Sequence, residues 1–528
     1  MRIACIQTAA NDITQYKENW DNILQMIDEA ASNEVSLIVL PECAYPAYFL
    51  GLDLEKTREA MAHIDRVKED IAARAKRHKV YIAAGLAVEE EGRMLNGGLL
   101  FSPDGELVCS IGKCNLWHFD HKWFECGTSF DVVHTRMGKV GLIICADGRA
   151  PEITRILALK GARIIIDMAN LTASGRNPAK LSNPQFDYML RVRAIENGVW
   201  LIMADKAGIE ADTVVYAGRS CVINPEGEVV AAASADKPEI LYADIDEKPS
   251  EKNLPKRRPE AYRILTEPTE TLPVYKDMSQ PVAVWDTEFQ VSVVQFGHVD
   301  EDEYAVKAAR FIRILENQDS RLILLPQLKE GADIENCVAN IKQALSHPST
   351  IVALTGYLRE GENKYKTTVI FSKDRNYGRY DKIHVEEPGE EGLVPGSAEN
   401  AVIKTPLGKL GVMHDQEGLI PEVARSLMLG GADIILWSDS RYDERNDMIV
   451  QTRAAENKVY VARSGNMEQG DHSVIASPMG NIAASTFKGT DQATSSLIVT
   501  ALSKSKTIVP GTNVVLDRKP KLYKELVK

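Results

Sequence analysis

The chain has 528 residues, 44% of them apolar and 26% charged, with a formal net charge of −13 at pH 7. That length exceeds what one hydrophobic core sustains, so two or three domains are expected, and the acidic balance disfavours nucleic acid or an anionic membrane as a partner. No window approaches 18 uninterrupted apolar residues, so no membrane span is expected.

The N-terminal MRIACIQTAAND drops straight into a strand-like pattern, so no secretory signal is expected. Eight cysteines, several inside apolar runs, are read as reduced thiols of a cytoplasmic protein. In chain order, residues 2–7, 36–40, 79–84, 140–145 and 163–167 read as strands. Between the first two, Trp20, Ile23, Leu24 and Ile27 share one helical face by their i, i+3, i+4, i+7 spacing. SPDGE at 102–106 and NPEGE at 224–228 are turns between hydrophobic runs, which places hairpins beside the βα units. The pattern is α/β with a mixed sheet.

The same plan then recurs. RIACIQ at 2–7 returns as QVSVVQ at 290–295, GARIIID at 161–167 as GADIILW at 431–437, and RVRAIENGVW at 191–200 as QTRAAENKVY at 451–460. The offset shrinks from 288 at Gln7/Gln295 to 253 at Asn224/Ser477, so the second copy has lost loop residues, mostly between the Glu42 and Lys113 positions. A period this long is a domain duplication rather than a solenoid repeat. The expected organisation is a first domain at 1–245, a Pro- and charge-rich extended connector at 246–284, and a second domain at 285–528.

Three residues of the first copy can carry chemistry together. Cys145 ends the apolar run VGLIIC, where a nucleophile is held rigidly beside the amides of the next turn. A thiol needs a base, since only the thiolate attacks well, and Glu42 at the end of SLIVLPE can supply one. Lys113, following a Gly at a third strand end, can hold the thiolate and then a developing oxyanion. In the second copy Glu42 becomes Gln327 and Cys145 becomes Asp415, while Lys113 is kept as Lys382.

The segments LPE, GKCNL and CADGRAPE resemble the Glu–Lys–Cys set of the nitrilase (carbon–nitrogen hydrolase) superfamily, over nearly all of copy one and more weakly over copy two. The resemblance implies two tandem four-layer α-β-β-α sandwiches and attack of cysteine on the carbon of an amide or nitrile. It also implies a second acid seven residues before a Gly, here Asp120 before Gly127, one methylene shorter than the usual Glu. The sequence after the cysteine looks like amidases, and HFDHKWFECG, NGVWLIMADKAG and RRPEAY look like N-carbamoyl-amino-acid amidohydrolases. By that likeness Arg149 would grip a substrate carboxylate, for which a planar guanidinium is suited, and Asn170 would line the pocket. At the matched places copy two has Gly389 for the second acid and Leu419 for Arg149, so it is expected to be inactive.

A competing set, Cys114, His118, His121 and Cys126, has the residue types of a zinc site but tighter spacing than common modules. The alternative is that Trp117, Phe119, Trp123 and Phe124 form an aromatic wall with the histidines among them. The expected function is therefore a cysteine-dependent amidohydrolase cleaving a small non-peptide amide or ureido acid and releasing ammonia, without metal or other cofactor. A nitrile-to-acid hydrolase and a non-enzymatic binding protein on the same fold are the alternatives. The resemblance further implies that the silent copy serves as an intrachain pseudo-dimer partner, since family members pair sandwich to sandwich; further homo-oligomerisation stays open.

Overall fold

The computed structural model describes all residues except 174, 176, 247–253, 281–287, 386–389 and 399–400. The chain forms two compact units, Met1–Leu254 with Val509–Thr512, and Pro255–Ile508 with Asn513–Lys528.

The first unit has fourteen strands: β1 Arg2–Ala9, β2 Leu37–Val39, β3 Tyr81–Glu90, β4 Arg93–Phe101, β5 Leu107–Gly112, β6 Val132–Thr135, β7 Gly138–Ile144, β8 Ile164–Met168, β9 Trp200–Ala204, β10 Lys206–Glu210, β11 Val214–Ala217, β12 Cys221–Ile223, β13 Val229–Ala232 and β14 Glu239–Asp244. One sheet runs β11-β10-β1-β2-β3-β4-β5 with β14 also on β1, and the other runs β13-β12-β9-β8-β7-β6. Their inner faces meet in one core: Ile3, Cys5, Leu37, Val39 and Leu100 from the first sheet pack with Val140, Leu142, Ile164, Ile166 and Met203 from the second. The alternate residues of β1, Ala4 and Ile6, face the opposite way and meet Trp20, Ile23, Leu24 and Ile27 of helix α1 (Tyr16–Ala31). Being buried on both faces is why these strands read as near-continuous apolar runs rather than as alternation.

Helix α2 spans Leu54–Met61, and α3 (Ile64–His78) joins α1 over the first sheet. Helices α4 (Pro151–Leu159) and α5 (Leu190–Asn197) lie against strands of the second sheet. The result is an α-β-β-α sandwich, as expected. The expected strands are present within a residue or two at most ends, β3 and β7 being longer, and Cys145 falls just past β7 in the first turn of a 3-10 helix. The two Asp-Gly and Glu-Gly turns close the β4–β5 and β12–β13 hairpins, with Gly105 at φ +81° and Gly227 at φ +82°, a region open to glycine at no steric cost.

Among the described residues the second unit repeats the plan with two six-stranded sheets. Strand Glu288–Gln295 pairs antiparallel with strand Gln492–Val499, as β1 pairs with β14. Inner-face residues Val291, Val293, Leu322, Leu410, Ile434 and Leu436 again form the inter-sheet core. Among the described residues the β10–β11 hairpin has no counterpart there. The shortening of copy two is therefore not mostly between the Glu and Lys positions. The offset falls from 285 at Glu42/Gln327 to 269 at Lys113/Lys382, and again from 270 at Cys145/Asp415 to 253 at Asn224/Ser477. Of the stretch 246–284, Pro259–Thr266 and Thr269–Thr271 are 3-10 helices and Pro273–Met278 is an α-helix, all within the second unit; 247–253 and 281–284 lie outside the described residues.

One glycine fixes the approach of β3 to the Glu42 backbone. A Cβ on Gly85 would sit 2.4 Å from the Pro41 carbonyl oxygen and 2.5 Å from the Glu42 Cα. Gly85→Ala should cost about 2 kcal/mol by overpacking, and it should lower amide hydrolysis more than loss of folded protein explains. Thermal unfolding and turnover measured on the same sample test this.

Candidate active site

Glu42, Lys113 and Cys145 leave the ends of β2, β5 and β7, and Asp120 sits in the 3-10 turn His118–Lys122. The structure brings the first, second and fourth of these into hydrogen-bonding contact with no solvent exposure at all. Lys113 Nζ donates to Glu42 Oε1 at 2.6 Å and to Asp120 Oδ2 at 2.8 Å. The remaining lone pairs are largely satisfied: Asn96 Nδ2 donates to Glu42 Oε1 at 2.6 Å, Tyr48 Oη to Asp120 Oδ1 at 2.6 Å, and the Trp117 N–H to Asp120 Oδ2 at 2.9 Å. Burial works against the ammonium, but Asp120 and Glu42 outweigh it and hold Lys113 well above its ordinary value. Burial raises the Glu42 carboxyl despite the pull of Lys113, with the Asp120 charge adding to the rise.

Cys145 is buried and left-handed, with φ +48°, a strained conformation for a side chain of this kind. Its backbone is clamped on both sides: the Cys145 N–H donates to Asp167 Oδ1 at 2.8 Å, and its carbonyl accepts from Gln185 Nε2 at 2.8 Å. The thiol feels Glu42 and Lys113 electrostatically, and the Asn170 N–H hydrogen-bonds to the sulfur. Burial, reinforced by the Glu42 charge, pushes the thiol well above its ordinary value, so it rests protonated. A thiol beside a carboxylate that is itself raised can hand over its proton at modest cost once the anion is stabilised.

Several polar groups here have no partner among the described residues. Glu42 Oε2, both side-chain polar atoms of Asn170, and Arg149 Nε are buried without a hydrogen bond. Buried polar atoms left unpaired are costly, and a ligand or water that pairs them would relieve that cost. The Arg149 guanidinium lies 5.1 Å over the Trp117 ring and has no ion-pair partner among the described residues; burial lowers its proton affinity. Phe119 packs with Tyr48, Phe49 and Trp123 at ring distances of 5.2–5.8 Å within this aromatic group, whereas Phe124 turns into the helix-side core.

Cys114, His118, His121 and Cys126 are not gathered into a metal site. Cys114 is buried with its thiol toward the Gly112 and Ser129 carbonyls, while His118 and His121 are exposed. Among the described residues no group of three His, Cys, Asp or Glu side chains could hold a metal ion. Sequence reasoning missed Asn96, Tyr48, Asp167 and Gln185, since each acts through a partner far away in the chain. It also missed Asp147, which accepts the Cys114, Asn115 and Ile144 N–H groups and is raised to about 7 by burial against those donors.

The matched place in the second unit keeps the scaffold and changes its charges. Asp415 has φ +46°, the same strained turn as Cys145. Its carboxylate accepts from Lys366 at 2.5 Å, Lys382 at 2.9 Å, and the Ser440 hydroxyl and N–H at 2.7 and 3.0 Å. Lys366 stands where Asn96 does, each carbonyl accepting the N–H of the following site lysine. Burial opposes the Asp415 charge, but Lys366 and Lys382 hold it well below the usual carboxylate range. Gly389 lies outside the described residues; the carboxylate that meets Lys382 is Glu390, one position on. The second acid is thus not lost with Gly389, because the extra methylene of Glu reaches from the neighbouring position. Gln327 Oε1 is buried without a partner, and Leu419 offers no charge at the Arg149 place.

A double sandwich with a buried Glu–Lys–Cys centre in one half defines a carbon–nitrogen hydrolase. Residues 2–251 and 290–507 match the model of the carbon-nitrogen hydrolase family, and the chain belongs to that family in both halves. Among curated relatives, the omega-amidase NIT2 of Danio rerio is 30% identical over 257 residues, covering 46% of this chain and 88% of its own. A nitrilase of Pyrococcus abyssi is 30% identical, over 44% of this chain and 86% of its own, and an (R)-stereoselective amidase of a Pseudomonas species is 29% identical over 47% and 86%. Among the described residues no helix is long and apolar enough to cross a membrane.

Asn96→Ala should move the acid limb of kcat/KM to higher pH. Asn96 stabilises the charged form of Glu42, so its loss raises an already raised carboxyl, and a base must be deprotonated to act. An unchanged acid limb would show that Glu42 is not the titrating group.

Proposed function

We propose that the first unit is a cysteine-dependent amidohydrolase that cleaves the C–N bond of a small, carboxylate-bearing amide or ureido acid and releases ammonia. The observation that carries this reading is the set of unpaired groups around the thiol: Glu42 Oε2, the Asn170 amide and the Arg149 guanidinium. Glu42 takes the Cys145 proton as sulfur bonds to the carbonyl (or carbamoyl) carbon, and the electron pair of the C=O bond moves to oxygen. Lys113 and a backbone N–H stabilise that oxyanion. The C–N bond then breaks, nitrogen takes the proton from Glu42, and ammonia or an amine leaves a thioester or carbamoyl-enzyme. Glu42 deprotonates water, which attacks the same carbon; the acid is released and the thiol restored. Asp120 holds Lys113 in place and charged.

The role of Arg149 is supported by its planar fork, which is stacked on Trp117 and free of a carboxylate among the described residues. The relatives named omega-amidase and amidase agree with an amide as substrate; the one named nitrilase keeps nitriles in the test. The second unit is proposed to be catalytically silent, because Asp415 is neutralised by two ammonium groups and Gln327 cannot accept a proton.

The experiment is ammonia release from ω-amides of dicarboxylic acids, ureido acids, neutral aliphatic amides and nitriles. Turnover of nitriles alone would overturn the amide reading. Cys145→Ala should abolish all turnover, leaving nothing attributable to the second unit, and residual activity above background would refute its silence. Arg149→Gln should lower kcat/KM for acid-bearing amides by about 100-fold, roughly the worth of a charge-assisted pair, with a change of less than about threefold for propionamide-sized neutral amides.

A further inference from the structure

The second unit contains a cavity of about 490 Å³ that none of Gln327, Lys366, Lys382 or Asp415 lines. Its volume falls within the range of small-molecule sites. It lies where the second copy has shed side chains. Helix Pro421–Leu429 and the residue after it contribute Val423, Ser426 and Gly430 to the wall. The matching positions of α4 carry Ile153, Ile156 and Lys160. In the first unit the Lys160 ammonium reaches the Asp131 carboxylate at 2.7 Å; in the second, Gly430 and Ala401 stand at those two places and both line the cavity. An ion pair that spans this place in one copy has been deleted from the other.

The chemistry left behind is that of a binding site. Ser426 Oγ is buried with no partner among the described residues. Tyr262 and His384 stack at 5.8 Å, nearly parallel, with the phenol 2.6 Å from His384 Nε2, and Glu417 holds the other ring nitrogen at 2.8 Å. Ile264, Val402 and Leu427 supply apolar wall. Of the cations on the lining, Lys409 is bound to Asp277, but Lys404 and Arg263 are exposed and have no ion-pair partner among the described residues. Among the described residues the one carboxylate on the lining, Glu260, faces Arg258 at 3.7 Å.

We propose that this cavity binds an aromatic-bodied carboxylate, its ring against the apolar wall of Ile264 and Val402, a polar atom on the Ser426 hydroxyl, and its anion at Lys404 and Arg263. The site is separate from the catalytic reading of the first unit and does not depend on it.

The test uses the full chain and 1-naphthylacetate, with 2-(1-naphthyl)ethanol as the uncharged comparison, followed by titration calorimetry. One saturable site below about 1 mM is expected for an apolar acid of this size, with the alcohol at least fivefold weaker. Ser426→Ile and Gly430→Lys, which restore the first copy's residues, should each weaken binding at least tenfold; both should keep the thermal unfolding profile of the parent chain, which reports that the second unit is folded. Lys404→Ala, at an exposed position, should weaken the acid about fivefold and leave the alcohol unchanged. Absence of saturation, or equal affinity in the Ser426→Ile and Gly430→Lys proteins, overturns the site and would place any bound probe elsewhere, including beside Arg149. Equal affinity of acid and alcohol, or no effect of Lys404→Ala, overturns the anion assignment.

Discussion

A lysine ammonium with no exposure to water sits between two carboxylates that are equally buried, and the first unit's site is organised around it. An isolated buried ammonium is prohibitively costly, and pairing offsets that cost only when geometry and further hydrogen bonds are good. Here Asn96, Tyr48 and the Trp117 N–H complete the set. Because Glu42, Lys113 and Asp120 come from three separate segments, the demand for pairing also fixes how those segments end.

The charge count explains the site's reactivity. Two carboxylates face one ammonium, so the cluster carries an excess negative charge; burial raises both the Glu42 carboxyl and the Cys145 thiol, and a neighbouring carboxylate adds to each rise. A proton shared between a base and a nucleophile is what acyl transfer through cysteine needs. In the second unit Lys366 replaces Asn96 and Asp415 replaces Cys145, giving two ammoniums to two carboxylates. The strained turn of Cys145 persists at Asp415, which presents its carboxylate to Lys366, Lys382 and Ser440.

The two groups proposed to meet the substrate follow a different logic. Asn170 and Arg149 are held by backbone position: one lies just past β8, the other is in the turn after Cys145, and their side-chain atoms are left unsatisfied. Sites for polar ligands carry such deficits because a ligand that fills them is discriminated from one that cannot.

Much of the plan was legible in the chain because it is duplicated: matched strand-end segments pointed to both the sandwich and the buried Glu42, Lys113 and Cys145, and β1, β7 and β8 are apolar runs bounded by turns. The second-acid count failed at Gly389 because a loop's register in sequence does not say which side chain reaches inward; Glu390 does so by being longer. The zinc-like spacing of Cys114, His118, His121 and Cys126 says as little about direction, since Cys114 is buried while His118 and His121 are exposed. What the sequence by itself determined was the repeated α/β order, the family, and the exchange of Glu42 and Cys145 for Gln327 and Asp415 in the second copy, because these depend on residue type and local periodicity. Only the tertiary structure decided that Asn96 and Tyr48 complete the ion cluster, that Asp167 clamps the nucleophile, and that lost side chains open a cavity beside Tyr262, because each depends on atoms that folding alone brings within bonding distance.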